Sequence, residues 1–225
     1  WGEAFIEACV IPHLWHVIPG GFYQRQAGSH FNAHIYDPLE TIADHRHYTG
    51  NQWNNNDRRS SDSLGGGHAH AGAMIYLGDT WPKTFRHQLF MNNIHGNRVN
   101  VDVLKPAGSG FIGSHGEDFL LTQDQWSQML YLTYGPDGNV WVIDWYDATQ
   151  CHRNEPEIPD RTNGRIYRIV YDAPAATGGA AATTAAPAKV DVSSATDGQL
   201  VSWQSHPNDW YVRHARRLLQ ERGPD

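Results

Sequence analysis

Three glycines run straight into a His-x-His pair in GGGHAHAGAMIYLGDTWP, Gly65 to Pro82. Histidines two apart in an extended segment point to one face of a sheet. The glycines ahead of them let the backbone turn sharply or approach a ligand closely. His68 and His70 therefore suit the wall of a cofactor or substrate pocket. They also suit a metal site completed by ligands from elsewhere, or a Gly-rich turn before two hydrogen-bonded histidines. The chain carries 14 histidines, enough for several to converge.

Other stretches carry chemistry-bearing residues. In NNIHGNRVNVD, His95 and Arg98 flank a strand junction, where Arg98 could clamp a carboxylate or the segment could be an ordinary hairpin turn. SHGEDFL gathers His115, Glu117 and Asp118, and IDWYDATQCHR gathers Asp144, Asp147, Cys151 and His152. Carboxylates of this kind can bind Ca²⁺ through oxygen, or they are polar loop residues. TIADHRHYTG adds Asp44, His45 and His47, and NQWNNNDRRSSDSLGGG follows as a long polar loop. A loop of that length is usually functional or disordered, and it is expected to rim the face that holds His68 and His70. The chain has no G-x-S-x-G, H-E-x-x-H, Walker loop or helix-opening G-x-G-x-x-G, which removes the motif-based hydrolase, zincin, nucleotide and dinucleotide readings. Cys151-His152 lacks a cysteine at Ala148, so there is no haem attachment motif. A Cys9–Cys151 disulfide is possible but unreadable from spacing.

The elements that must position these residues read mainly as β. HAGAMIYLG, QLFMNNIHG and NRVNVDVLK are strand-like runs separated by Gly or Pro. NVWVIDW follows the turn GPDG, and GRIYRIVYD alternates. GEAFIEACV and LWHVIPGG pair loosely with the last two runs as an internal repeat, which suggests propeller blades. The chain opens inside a strand-like run without a Met or leader, so it is expected to be a piece of a longer protein. Residues 1–172 form this β region. Residues 173–190, nearly all Ala, Thr, Gly and Pro, read as a linker. Residues 191–225 turn helical, with a capping box at Thr196 and Gln199. A second helix follows, capped by Asn208 or Asp209 and ended by Gly223, and the pair is expected to begin a helical array. Lys and Arg total 17 against 24 Asp and Glu, a net charge of −7 that argues against nucleic acid. No apolar run approaches a membrane span.

Several segments resemble one family. GGGHAHAGAMIYLGDTWP, LFMNNIHGNRVNVDVL, GSGFIGSHGEDFL, YGPDGNVWVIDWYDATQCHR and DRTNGRIYRI look like the β-propeller of the large membrane-bound dehydrogenases, or haem-binding domain proteins, of planctomycetes and related bacteria. NDWYVRHARRLLQER resembles the first helix of the array that follows it. The resemblance implies part of a six-bladed propeller like that of glucose and sorbosone dehydrogenases, then HEAT-like repeats. It implies oxidation of a sugar or other alcohol with pyrroloquinoline quinone and Ca²⁺, electrons passing to a cytochrome c domain elsewhere, in the periplasm or cell envelope. On that pattern His68 and His70 are catalytic. His95, Arg98, Gly66 and Gly67 hold the cofactor, and Asp118 or Asp144 helps with a cation. Two other readings stand beside it. One is a propeller and helical scaffold that binds glycan or protein through Trp53, Trp81 and Trp145, of which Trp145 is expected in the core. The other is a His-rich metal-dependent hydrolase.

Overall fold

In the run Arg98–Ala107, Val99, Val101 and Val103 alternate with Asn100 and Asp102. Both polar side chains are fully buried. A strand that buries both faces, one of them polar, must hold hydrogen-bonding groups on that face. This strand is the centre of the fold. The computed structural model describes residues 2–9, 13–24, 37–47, 65–67, 69–148, 160, 162–172 and 189–223.

The chain is mainly β, with antiparallel sheets, as expected. Strands β1 (Ala4–Glu7) and β2 (Leu14–Val17) form a hairpin with Glu7 opposite Leu14. The largest sheet runs in the order β3 (His70–Ile75), β4 (Leu89–Asn93), β5 (Arg98–Ala107) and β6 (Gly110–His115). The short β7 (Leu120–Leu121) pairs with the start of β5. Register puts Asp102 opposite Leu89 on one side and His115 on the other. The remaining sheet orders β10 (Arg165–Ile169), β9 (Val140–Asp144) and β8 (Met129–Tyr134). Strands β6 and β8 lie outside the runs that read as strands in the sequence. SHGEDFL begins as the end of β6 rather than as a loop.

The chain divides into two compact units. The first joins Trp1–Met74, Gln88–Leu132 and Ile143–Arg165. Its core includes Leu14, Leu89, Phe90, Met91 and Val99. Phe90 packs on Phe119 at 4.7 Å between ring centroids. Residues 42–44 run beside β6: Gly113 N–H donates to Ile42 C=O, and Asp44 N–H donates to Gly113 C=O. Ile42 N–H also donates to Leu14 C=O, so this segment is tied to β2 as well.

The second unit joins Ile75–His87, Thr133–Val142 and Ile166–Asp225. Tyr76 Oη donates to Gly138 C=O at 2.7 Å and accepts from Trp81 N–H. Helices α1 (Asp197–Ser202) and α2 (Asp209–Arg222) pack through Ala195, Leu200 and Ala215, with Trp203 and Leu218 against them. The capping box at Thr196 and Gln199 is present, Asn208 caps α2 and Gly223 ends it. Asn208 Nδ2 also donates to the Gly135 and Pro136 carbonyls, so the cap doubles as a tie to the β8–β9 turn. No helix among the described residues is long and apolar enough to cross a membrane.

Trp145 departs from its expected core position. It is half-exposed, and its indole N–H donates to Asp147. As the first residue beyond β9 it has left the packed sheet. Trp81 meets Phe85 edge-on and lies tilted against Tyr171, while Trp53 lies outside the described residues.

Glu7, on β1, has one carboxylate oxygen buried without a partner among the described residues. Burial pushes its pKa up to about 7, against the pull of a hydrogen bond from the Gly72 backbone. A raised carboxylate pKa means the folded state resists ionisation. Stability is therefore greatest below the ordinary value of 4.5 and is lost as pH rises towards about 7. Glu7→Gln removes that loss. The variant is expected to exceed wild type by about 1–3 kcal/mol at pH 8 and to lose the advantage at pH 4.5. Urea unfolding of both proteins at the two pH values checks it; an equal difference at both would show that Glu7 ionises normally.

Candidate metal centre

Four side chains from separate segments meet around Asp102. The residue before β2 is His13, the 42–47 segment brings His45 and His47, and β5 brings the carboxylate. His13 Nε2 lies 3.0 Å from Asp102 Oδ2. His45 Nε2 and His47 Nε2 lie 3.0 and 3.1 Å from Oδ1, and 3.0 Å from each other. All four donor atoms fall within 4.8 Å of one another. His13, His47 and Asp102 are essentially inaccessible to solvent.

A surrounding set of groups orients these rings. His45 Nδ1 faces Asp44 Oδ1 at 3.0 Å, and Asp44 accepts from Ser114 Oγ at 2.7 Å. His47 Nδ1 faces His70 Nε2 at 2.8 Å, and His70 Nδ1 faces Ala8 C=O at 3.2 Å. Carboxylate and carbonyl partners behind ligating histidines are the usual support of metal sites. His13 Nδ1 and His115 Nδ1 are buried without a partner among the described residues.

The electrostatics follow from this crowding. Burial would raise the Asp102 pKa, but hydrogen bonds from His13, His45 and His47 hold it well below the usual carboxylate range. Burial brings His47 down to about 4 despite Asp102. Burial, with His47 and His13 nearby, holds His70 well below the histidine range. Burial also opposes charge on His45, but Asp102 and Asp44 outweigh it and raise its pKa. Of the three rings around the buried carboxylate, His45 is thus the one whose charged form the surroundings favour.

The donor set is three imidazole nitrogens and one carboxylate oxygen. Such donors suit zinc-class and other divalent transition ions. A tetrahedron with bonds of about 2.0–2.1 Å has edges of about 3.3 Å. The three edges among His45, His47 and Asp102 Oδ1 are 3.0–3.1 Å. His13 sits on the other carboxylate oxygen and the four donors span up to 4.8 Å, so His13 would have to close in on the ion. Ca²⁺ asks instead for six to eight oxygens. His13 and His45 also line a cavity of about 290 Å³ with polar walls, including Gln24, Glu40, Thr41 and Arg46.

The residues singled out from sequence fall in different places. His70 stands behind His47, while His68 and residues 51–64 of the long polar loop lie outside the described residues. His95 is buried in the turn after β4. Arg98 pairs with Asp118 Oδ2 at 2.8 Å, and Asn100 Nδ2 donates to Asp118 Oδ1 at 2.8 Å. Gly66 C=O accepts from Asn93 Nδ2, and Gly67 packs against the backbone of Gly96. The Asp144 oxygens take hydrogen bonds from Ser127 Oγ and from the backbone N–H of Gln128 and Tyr146. A cation at Asp118 or Asp144 would have to displace these donors. Cys9 is exposed, and Cys151 lies outside the described residues. His13 and Asp102 carried no motif. The one local signal was an Asp inside the alternating V-N-V-D-V run.

Comparison with known proteins gives a family. The model of a domain of unknown function, DUF7133, matches residues 1–173. The chain belongs to that family. A comparison with curated proteins finds no match. Among solved structures, a Thermus thermophilus protein described as a "putative oxidoreductase (glucose dehydrogenase)" is similar at 17% identity and a TM-score of 0.41. The match covers 74% of this chain and 41% of that one, and a likeness of this size supports no inference about function. The match to DUF7133 spans the whole centre, from His13 to Asp102.

Proposed function

We propose that this chain carries the divalent transition-metal centre of an enzyme that activates a hydroxyl group. The ion would be held by His13, His45, His47 and Asp102. The observation that carries this is the convergence of four donor atoms beside a polar cavity. A zinc-class ion there would act as a Lewis acid on a bound water or substrate hydroxyl. Asp102 supplies the compensating charge, and Asp44 orients His45. The polar cavity walls offer both donors and acceptors to a hydroxylated molecule.

The finer reading comes from the sequence resemblance. In it, the chain belongs to a dehydrogenase of sugars or other alcohols, built on a six-bladed propeller completed by segments outside this chain. A quinone and Ca²⁺ would serve it, electrons would pass to a cytochrome c domain, and the location would be periplasmic. In it His68 would face the substrate, with His70 buried behind His47 as its support rather than a second contact; His95, Arg98, Gly66 and Gly67 would line the cofactor. Asp118 accepts from Arg98 and Asn100, and Asp144 from Ser127 and Gln128, so a cation at either would compete with these donors.

The test is metal content. The full chain, stripped with a chelator and then offered Zn²⁺, Co²⁺ or Ca²⁺ and dialysed, is expected to keep one Zn²⁺ or Co²⁺ and no Ca²⁺. Elemental analysis reads it. Retention of Ca²⁺ alone, or of no ion, would overturn the proposal.

A further inference from the structure

We propose that the ion rests on three fixed donors, from His45, His47 and Asp102, and that its fourth position, the one left to His13, is exchangeable and is filled from the adjoining cavity by a small hydroxy acid. The inference rests on the metal reading above and names the class of substrate that the same centre would hold.

The donor geometry is not symmetric. His45 Nε2, His47 Nε2 and Asp102 Oδ1 form a nearly equilateral triangle with sides of 3.0, 3.0 and 3.1 Å. Bonds of about 2.0–2.1 Å from all three would seat an ion about 1 Å outside that plane. One side of the ion is then covered and the other is open. His13 stands apart from the triangle, with its Nε2 on Asp102 Oδ2 at 3.0 Å. The rings also differ in what lies behind them. His45 Nδ1 is backed by Asp44 and His47 Nδ1 by His70. His13 Nδ1 is buried with no partner among the described residues. Ligating imidazoles are normally held from behind by such a partner. His13 is therefore the ring least fixed as a ligand and the first to give way to another. Two histidines and one carboxylate on one side, with the other positions open, keep a divalent ion accessible to substrate.

The cavity walls select the ligand. His13 and His45 both line the cavity of about 290 Å³, so the position beside His13 adjoins it. That volume sits at the low end of the range for ligand pockets, about 300–1,000 Å³, and suits a small molecule. Arg46 lines the same cavity and pairs with no acid among the described residues. Beside a divalent ion, an unmatched guanidinium calls for an anion, and its fork fits a carboxylate. A hydroxyl on the adjacent carbon completes a chelate on the ion. Gln24 and Thr41 can hydrogen-bond to further hydroxyls. Glu40, also in the wall, disfavours a second carboxylate by like charge, so the fitting molecule is a monoacid.

The test uses the full chain loaded with Co²⁺, with glycolate as the probe and ethylene glycol as its uncharged counterpart. Glycolate is expected to shift the visible d–d bands in a saturable way, and ethylene glycol at the same concentrations to leave them in place. X-ray absorption of the glycolate-bound chain is expected to count two imidazoles on the cobalt. Arg46→Met is expected to weaken glycolate about 10–100-fold, the worth of a hydrogen bond to a charged group. Bands that ignore glycolate, or three imidazoles with glycolate bound, overturn the exchangeable position, and neither result needs a variant to fold. Equal shifts by glycolate and ethylene glycol, or equal glycolate affinity in wild type and Arg46→Met, overturn the hydroxy acid. All of these outcomes leave the metal reading standing. A wild-type chain that binds no Co²⁺ overturns that reading, and the hydroxy acid with it.

Discussion

Replacing Asp102 with asparagine is expected to abolish stoichiometric metal binding and to lower the stability of the metal-free chain by about 3–5 kcal/mol. That range is typical for removing one partner of a buried ion pair. Asp102 is fully buried, and three imidazoles share its two oxygens. An amide keeps the shape but not the charge. It cannot compensate a divalent ion, and it removes the charge that favours protonation of His45. The pH dependence has a definite sign. A carboxylate with a depressed pKa contributes stability above its ordinary value of 3.8 and loses it as pH falls. The depressed histidines His47 and His70 act in the same sense, losing stability as pH falls below 6.5. His45, with a raised pKa, acts oppositely: its contribution is complete below 6.5 and fades as pH rises through its folded value. Metal-free wild type is therefore expected to lose stability steeply from about pH 6 to about pH 3, and Asp102→Asn to lose less below about pH 4. Chemical unfolding at pH 8, 6 and 4, with and without Zn²⁺, reads both effects. An asparagine variant that still holds one Zn²⁺ with wild-type affinity would remove the metal from this cluster.

The strands were legible in the sequence because period-two alternation and Gly or Pro punctuation act locally. β3, β4, β9 and β10 fall inside runs that read as strands, and β5 overruns its own by Pro106 and Ala107. The helix caps were legible for the same reason: Thr196 and Gln199 are close in the chain and bond to each other. The centre was only half legible. His45 and His47 stood out as a pair with Asp44, and His70 as half of His-x-His. What joins them is sheet register. Asp102 meets His13 across 89 positions and His45 across 57. No spacing rule carries contacts of that range. They arise because residues 42–44 pair with Gly113 on β6, while β6 places His115 opposite Asp102. The polar face of β5 was the one local trace. Asn100 and Asp102 alternate with valines, a pattern normal for a half-exposed strand, yet both are completely buried.

Gly67→Ala is expected to destabilise the chain by about 3 kcal/mol or more, well beyond Gly108→Ala at about 1 kcal/mol. The comparison separates two costs. Both glycines have positive φ, +68° and +60°, so each alanine meets the left-handed penalty of about 1–2 kcal/mol. Gly108 sits in the β5–β6 turn with open space where a Cβ would go. A Cβ at Gly67 would run into the Gly96 backbone nitrogen and lie 2.6 Å from Gly96 Cα and from the His95 carbonyl carbon. Backbone cannot rotate out of the way as a side chain can. The Gly96 turn is itself pinned, since Gly96 N–H donates to Asn93 Oδ1 at 2.8 Å and Asn97 Nδ2 donates to Ser127 C=O. Relief must therefore come from lifting the Gly65–Gly67 loop. That would break the Asn93 and Asn100 bonds to the Gly65 and Gly66 carbonyls. Gly65 is close enough to the His47 ring that a Cβ there would lie 2.7 Å from its Cδ2, so a shift of the glycine run reaches the metal centre. Gly67→Ala should consequently lower Co²⁺ affinity as well, whereas Gly108→Ala should leave it unchanged. Denaturant unfolding and Co²⁺ titration on the two variants decide it. Equal stability losses would show that the close approach of the two backbones does not constrain the fold. A full loss of stability with intact affinity would detach the loop from the site.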